Sequence, residues 1–190
     1  MQQAQCILPM IDTLLKDHQL SLAELDALAF GCGPGSFTGV RIATSVAQGL
    51  GFATPLPLIS VSSLAALAQS AFLDLGWKKL LVAVDARMQE IYWGMYQINE
   101  EGRLVLVGEE MVCRPDKLVF PEAGDWYGVG NAWEVYQGQF AYSPCGVDAT
   151  RMPMASGVAI LARQLYLEGK CMAAADAEPV YLRNNIAAKR

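Results

Sequence analysis

Apolar side chains at Ile7, Leu8, Ile11, Leu14 and Leu15 recur at steps of three and four, so residues 3–17 are predicted to form an amphipathic helix. Ser21-Leu22-Ala23-Glu24 carries the S-x-x-E pattern of a capped helical start and predicts a short helical turn. A buried strand over 27–30 leads into a glycine-rich connection over 31–39. A helix over 40–50 follows, and its Ala43, Ser45, Ala47 and Gly49 form a narrow face that lets another helix come close. A strand over 56–59 and a helix over 62–73, capped by Ser62 or Ser63, complete a strand–helix–strand–helix alternation. That is the pattern of a parallel sheet with crossover helices. After Gly76 the period changes: β-rich runs over 80–84, 91–98 and 104–112, the last two separated by a polar turn around Gly102, predict an antiparallel meander. A strand over 126–130 and a helix over 154–167, ended by Gly169, complete an α/β chain. The shift near Gly76 divides it into two packed subdomains, 1–76 and 77–190.

Composition adds constraints. The 190 residues fit one compact domain or two small ones sharing a core. Apolar residues make up 53% and charged residues 17%, a balance that leaves apolar surface for another chain. A net charge of −5 and a pI near 4.9 make attraction to a phosphate backbone weak, so any link to RNA is expected to be indirect. No apolar run reaches the roughly 20 residues of a membrane-spanning helix, and no signal peptide is expected. Five scattered cysteines, Cys6, Cys32, Cys113, Cys145 and Cys171, fit reduced thiols in a cytoplasm. The single histidine, His18, removes any two-histidine metal motif and leaves a Ser-His-Asp arrangement only if His18 itself builds it.

Three segments carry candidate chemistry. In Gly31-Cys32-Gly33-Pro34-Gly35-Ser36-Phe37-Thr38-Gly39-Val40-Arg41 the glycines permit close backbone approach, and the helix start behind them offers free N–H groups to an anion. No lysine follows Gly39 as a Walker A loop requires, and Ser36 stands where a third Rossmann glycine belongs, so a tight strand-to-helix connection is preferred over phosphate binding. Asp85 ends an apolar strand, and Arg87 to Glu90 form a tip of opposite charges. Asp85 fixing its own turn, with a weak Arg87–Glu90 ion pair, is the simplest structural account. Glu178 to Asn185 predicts an exposed strand or extended tail, since Pro179 turns Glu178 away from helix, and Arg183 is placed to bridge a carboxylate of this chain or of a partner. The aromatics Tyr92, Trp93, Tyr96, Trp126, Tyr127 and Trp133 are assigned to packing, because no Lys or Arg interleaves them as a base-stacking platform would need.

GPGSFTGVR at Gly33 to Arg41 resembles the hallmark of the TsaB (YeaZ) family. Asp85-Ala86-Arg87 with Glu90-Ile91-Tyr92-Trp93 is similar to that family's DAR hairpin, and Glu178-Pro179-Val180-Tyr181-Leu182-Arg183-Asn184-Asn185 to its C-terminal signature. The three matches lie in order across nearly the whole chain. The resemblance implies an actin-like, sugar-kinase and Hsp70-type fold of two small subdomains. It also implies a non-catalytic scaffold role in threonylcarbamoyl transfer to tRNA adenosine, with TsaD as obligate partner and the ATPase TsaE joining; a homodimer in isolation is expected because a self-complementary helix surface pairs about a two-fold axis. A partner surface is expected on the first helix, at Ile7, Met10, Ile11 and Leu14, and on the small-residue helix, at Ala43, Ala47 and Leu50. Because an acidic residue at a comparable strand end meets metal-bound phosphate in actin-like ATPases, a vestigial nucleotide site is expected at Gly33, Gly35, Ser36, Thr38 and Asp85. No intrinsic cofactor or metal is expected, and ADP or ATP only at an interface of the complex. The competing class is an actin-like enzyme, a phosphotransferase or a glycopeptidase-like hydrolase. Members of the family begin with a strand bearing an Asp-Thr-Ser loop and a hairpin, whereas this chain starts at the first helix. The first sheet is therefore expected to be truncated, with an unpaired edge on the 27–30 strand.

Overall fold

The computed structural model describes residues 2–120 and 124–183. Contacts divide the chain into two units, Met1–Val61 with Ala162–Val180, and Ser62–Leu161 with the segment from Tyr181 onward.

In the first unit α1 (Gln2–Asp17) turns Ile7, Ile11 and Leu15 partly inward and leaves Leu8, Met10 and Leu14 exposed. Pro9 interrupts its ladder, and the Thr13 hydroxyl donates to the Pro9 carbonyl at 2.9 Å. The turn predicted at Ser21 is a single 3₁₀ turn, Leu22–Glu24. The Ser21 N–H and hydroxyl both donate to the Glu24 carboxylate at 2.8 Å, which holds that carboxyl below its ordinary range. β1 (Leu28–Gly33), α2 (Phe37–Ala53) and β2 (Leu58–Ser62) follow. The Leu28 N–H donates to the Pro57 carbonyl, and the Cys32 thiol meets the Val61 carbonyl at 3.4 Å. This constant offset makes the two strands parallel, with α2 as the crossover. β1 runs three residues past its predicted end, through Gly33, because Cys32 is a core residue and its carbonyl accepts from the Val180 N–H at 2.8 Å. On β2, Leu58 exchanges both backbone hydrogen bonds with Met172. The core of this unit joins Phe30, Cys32, Ala47, Leu58, Ala174 and Ala177.

The second unit opens with α3 (Ser63–Leu75), capped by the Ser62 hydroxyl, which accepts from the N–H groups of Leu64 and Ala65, and ended by Gly76 in the left-handed region at φ 70°. β3 (Lys79–Asp85), β4 (Ile91–Ile98) and β5 (Leu104–Cys113) form the predicted antiparallel meander. β6 (Tyr127–Val129), α4 (Ala132–Val135) and β7 (Val147–Asp148) follow, then α5 (Ala155–Leu167), whose residues through Leu161 belong to this unit. The sheet order is β5-β4-β3-β6-β7, with β6 parallel to β3 and β7 parallel to β6. Leu81, Ala83, Ile91, Trp93, Trp126 and Trp133 form its core, and the Trp133 indole N–H donates to the Leu81 carbonyl at 3.1 Å. Trp93, Tyr96, Trp126 and Trp133 are thus packing residues, as the sequence assigned them.

The division differs from a boundary at Gly76, which follows the change of period. α3 lies against β3, β4, β5 and β6 and buries Leu64, Leu67, Ala68 and Ala71. α5 approaches it so closely that a Cβ on Gly157 would stand 2.7 Å from the Ala66 carbonyl oxygen. The helix that precedes the meander in sequence therefore belongs with it in space.

Candidate functional site

In the first unit the glycine loop joins β1 to α2. Ser36 caps α2, its hydroxyl accepting from the Gly39 N–H at 3.1 Å, while Thr38 is exposed in the first turn and Gly35 is half-buried. Gly33 has φ +107°, and a Cβ there would stand 2.8 Å from the Val180 carbonyl oxygen. This glycine makes room for the chain's own C-terminal segment. Arg41, a cation of the loop, lies over the Phe37 ring at 3.6 Å from its centroid. The geometry is that of a tight connection with a side chain already capping the helix start, the account preferred from sequence.

Ile7, Ile11, Leu14, Ala43, Ala47 and Leu50 come together around one apolar cavity of about 530 Å³, bounded by α1, the 3₁₀ turn, β1 and α2. Met10 does not line that cavity; it lies on the exposed side of α1 with Gln5, Pro9, Thr13 and Leu14, the last of which borders both. α1 touches α2 of the same chain, and Ala47 is only 7% exposed. Ala47 is therefore core, packed with Phe30, Cys32, Leu58, Ala174 and Ala177, whereas Ser45 and Gly49 of the same helix are exposed. His18 lines the same cavity and its Nδ1 lies 2.9 Å from the Leu14 carbonyl, so the histidine closes the end of α1.

Asp85 belongs to the second unit, where its side chain is 8% exposed. One carboxylate oxygen accepts from the Arg87 N–H and the Tyr136 hydroxyl, each at 2.8 Å. The other lies 3.2 Å from the Arg87 guanidinium, and the Asp85 N–H donates to the Asn131 side-chain oxygen at 2.9 Å. Burial, then the hydrogen bond to Asp85, pushes the Tyr136 hydroxyl above its ordinary value. Asp85 thus fixes its own turn. The Arg87–Glu90 pair expected from sequence is replaced by Arg87–Asp85 and Arg183–Glu90, because Arg183, 93 residues away, reaches the tip from outside it. Arg183 bridges a carboxylate of this chain. Asn184 and Asn185 lie outside the described residues.

One cluster had no sequence signal. The Glu110 carboxylate accepts from both the Tyr96 and Ser62 hydroxyls, although 14 and 48 residues separate it from them. A β-bulge between Trp93 and Met95 shifts the β4–β5 register near Glu110. Burial, reinforced by Glu110, drives the Tyr96 hydroxyl far above its ordinary value. Among the described residues no three His, Cys, Asp or Glu side chains stand close enough to hold a metal ion.

One unit built on a meander with two further parallel strands, and another built on a parallel strand pair, define an actin-like α/β protein. The family model for tRNA N6-adenosine threonylcarbamoyltransferase, TsaD, matches residues 2–189. The chain is 40% identical over its full length to the tRNA threonylcarbamoyladenosine biosynthesis protein TsaB of Escherichia coli, covering 84% of that protein. It is 39% identical to the Haemophilus influenzae protein of the same name over 97% of this chain and 81% of that one. YeaZ from Pseudomonas aeruginosa superposes with a TM-score of 0.91 at 42% identity, over 96% of this chain and 86% of that one. The chain belongs to the TsaB (YeaZ) family.

Proposed function

We propose that this protein acts in the biosynthesis of threonylcarbamoyladenosine on tRNA, as a non-catalytic cytoplasmic subunit that binds and activates TsaD, with TsaE joining the pair. The observation that carries this reading is the 40% identity to Escherichia coli TsaB over the whole chain. Two site geometries support a non-catalytic role. The start of α2 behind the glycine loop is capped by Ser36, and Asp85 is committed to Arg87 and Tyr136. A nucleotide, ADP or ATP, is proposed to bind only where TsaD completes the site, and the isolated chain to form a homodimer. The partner surface is proposed on α1 and α2, with Met10 and Leu14 exposed upon it and Ala47 supporting it from the core.

Replacing TsaB with this chain in a bacterium that depends on it, and measuring the modified nucleoside in digested tRNA by mass spectrometry, tests the role. Restored modification together with co-elution of the chain and TsaD is expected. Steady ATP turnover by the pure chain, abolished in Asp85→Ala, would place it instead with the actin-like enzymes. Direct tRNA binding at physiological salt is expected to be weak, given a net charge of −5. A sub-micromolar complex with a steep salt slope would contradict that expectation.

A further inference from the structure

The five-residue loop between β3 and β4 contains three consecutive non-glycine residues in the left-handed region, Arg87 at φ 63°, Met88 at 56° and Gln89 at 61°. Side chains disfavour that region through the clash of Cβ with the backbone, so a run of three persists only where surrounding contacts determine it. Two backbone hydrogen bonds close the loop, Ala86 N–H to the Glu90 carbonyl and Glu90 N–H to the Arg87 carbonyl, each 3.0 Å. Asp85 braces the first of the three left-handed residues by accepting from the Arg87 N–H. Arg183 makes further polar contacts to the tip. Its Nη2 donates to the Ala86 carbonyl at 3.1 Å, to the Arg87 carbonyl at 3.4 Å and to the Glu90 carboxylate, and its Nη1 lies 3.5 Å from the Met88 sulfur. The Arg183 Nε–H is buried without an acceptor among the described residues, so the guanidinium is oriented by its outer nitrogens on the loop.

We propose that Arg183 is a clasp: the C-terminal segment holds the hairpin tip in its left-handed turn, and the tip keeps that shape only while Arg183 is seated. Met88, 81% exposed, and the Arg87 side chain, 87% exposed, are the groups the clasped tip presents to solvent. Arg183 and the tip thereby change state together. An anion that captured the Arg183 guanidinium would release the tip without touching it. Arg183 is a positioning residue in this scheme, acting through backbone carbonyls and Glu90.

The test is amide hydrogen exchange by NMR on the full chain. In Arg183→Gln, exchange at Ala86 and Glu90 is expected to accelerate at least tenfold, while Val82 and Trp93 in the adjoining strands keep their rates. Methylguanidine added to Arg183→Ala is expected to restore part of the protection, which general stabilisation of the unit would not do. Unchanged rates at Ala86 and Glu90 would show that the tip is set by its own sequence, and an equal acceleration at all four amides would show that Arg183 supports the unit as a whole. Either result overturns the clasp. If Arg183→Gln failed to fold, Glu90→Ala, which removes the anionic seat alone, is expected to give a severalfold acceleration confined to the tip, and no change there would overturn the proposal equally.

Discussion

At Asp148 two opposing effects set the proton affinity. Burial raises it, and hydrogen bonds from Thr150 and Arg151 outweigh burial and hold the carboxyl below its ordinary 3.8. Arg151 shows the mirror image, with burial working against the charged guanidinium while Asp74 and Asp148 overcome it. Its Nε lies 2.9 Å from Asp148, and its Nη1 pairs with Asp74 on α3. Since the folded-state value of Asp148 is depressed, its contribution is fully present above about pH 4 and disappears as the pH falls through the lowered value. Asp148→Asn is therefore expected to lower unfolding stability by about 1–3 kcal/mol at neutral pH, as for a hydrogen bond to a charged group. The difference from wild type should shrink in urea titrations below pH 4. A mutant deficit that stayed constant into acid would show that the side chain's shape, and not its charge, is what matters. The partners of such groups were hidden in the sequence. Arg87 and Glu90 stand close along the chain and invite a pairing, yet Asp85 and Arg183 take them, because the left-handed turn between them aims the side chains apart.

Elements were far more legible than partners. The period of three and four in the first helix places α1 within one residue of its observed start, and the β-branched and aromatic run over 91–98 is β4 residue for residue. Local pattern suffices there because each element buries one continuous face. It failed at β1, which continues through glycines that no strand propensity favours, since its final pairing partner, Val180, lies far along the chain. On α2 the small residues divide, Ala47 lying in the core while Ser45 and Gly49 stay exposed, a split that spacing along the chain does not reveal. Ser62 shows how one residue ties elements together: it caps α3 and donates to Glu110 of β5. Ser62→Ala is expected to cost about 1–2 kcal/mol, the usual value of a lost cap with a lost hydrogen bond to a carboxylate. Thermal unfolding followed by circular dichroism measures this, and a melting temperature equal to wild type would mean that water replaces both bonds.

For the whole molecule, the exposed apolar side chains of α1 bear on assembly. Met10 is 68% exposed, so Met10→Glu should leave stability within about 0.5 kcal/mol of wild type. If the outer face of α1 meets another chain, the same change should abolish both the homodimer in sedimentation and the capture of TsaD, because a charge would be desolvated without a partner. Retention of both complexes would exclude that face. Ala47→Glu makes a poorer test, since Ala47 is core and its replacement damages the unit itself.

The division of the chain also governs the order in which the protein can form on the ribosome. The first unit draws on Met1–Val61 and on Ala162–Val180, so its β1 and α2 are synthesised long before the segment that crosses Gly33 and pairs with Cys32. At about 5–20 residues per second, translation takes on the order of ten seconds to travel from Val61 to Val180. During that interval the nascent chain carries an incomplete first unit while Ser62–Leu161 emerges as one uninterrupted stretch able to build its own sheet. The sheet of the second unit is thus poised to fold first, and the first unit to close only once Ala162–Val180 follows, a timing under which chaperones would meet α1 and α2 rather than the meander.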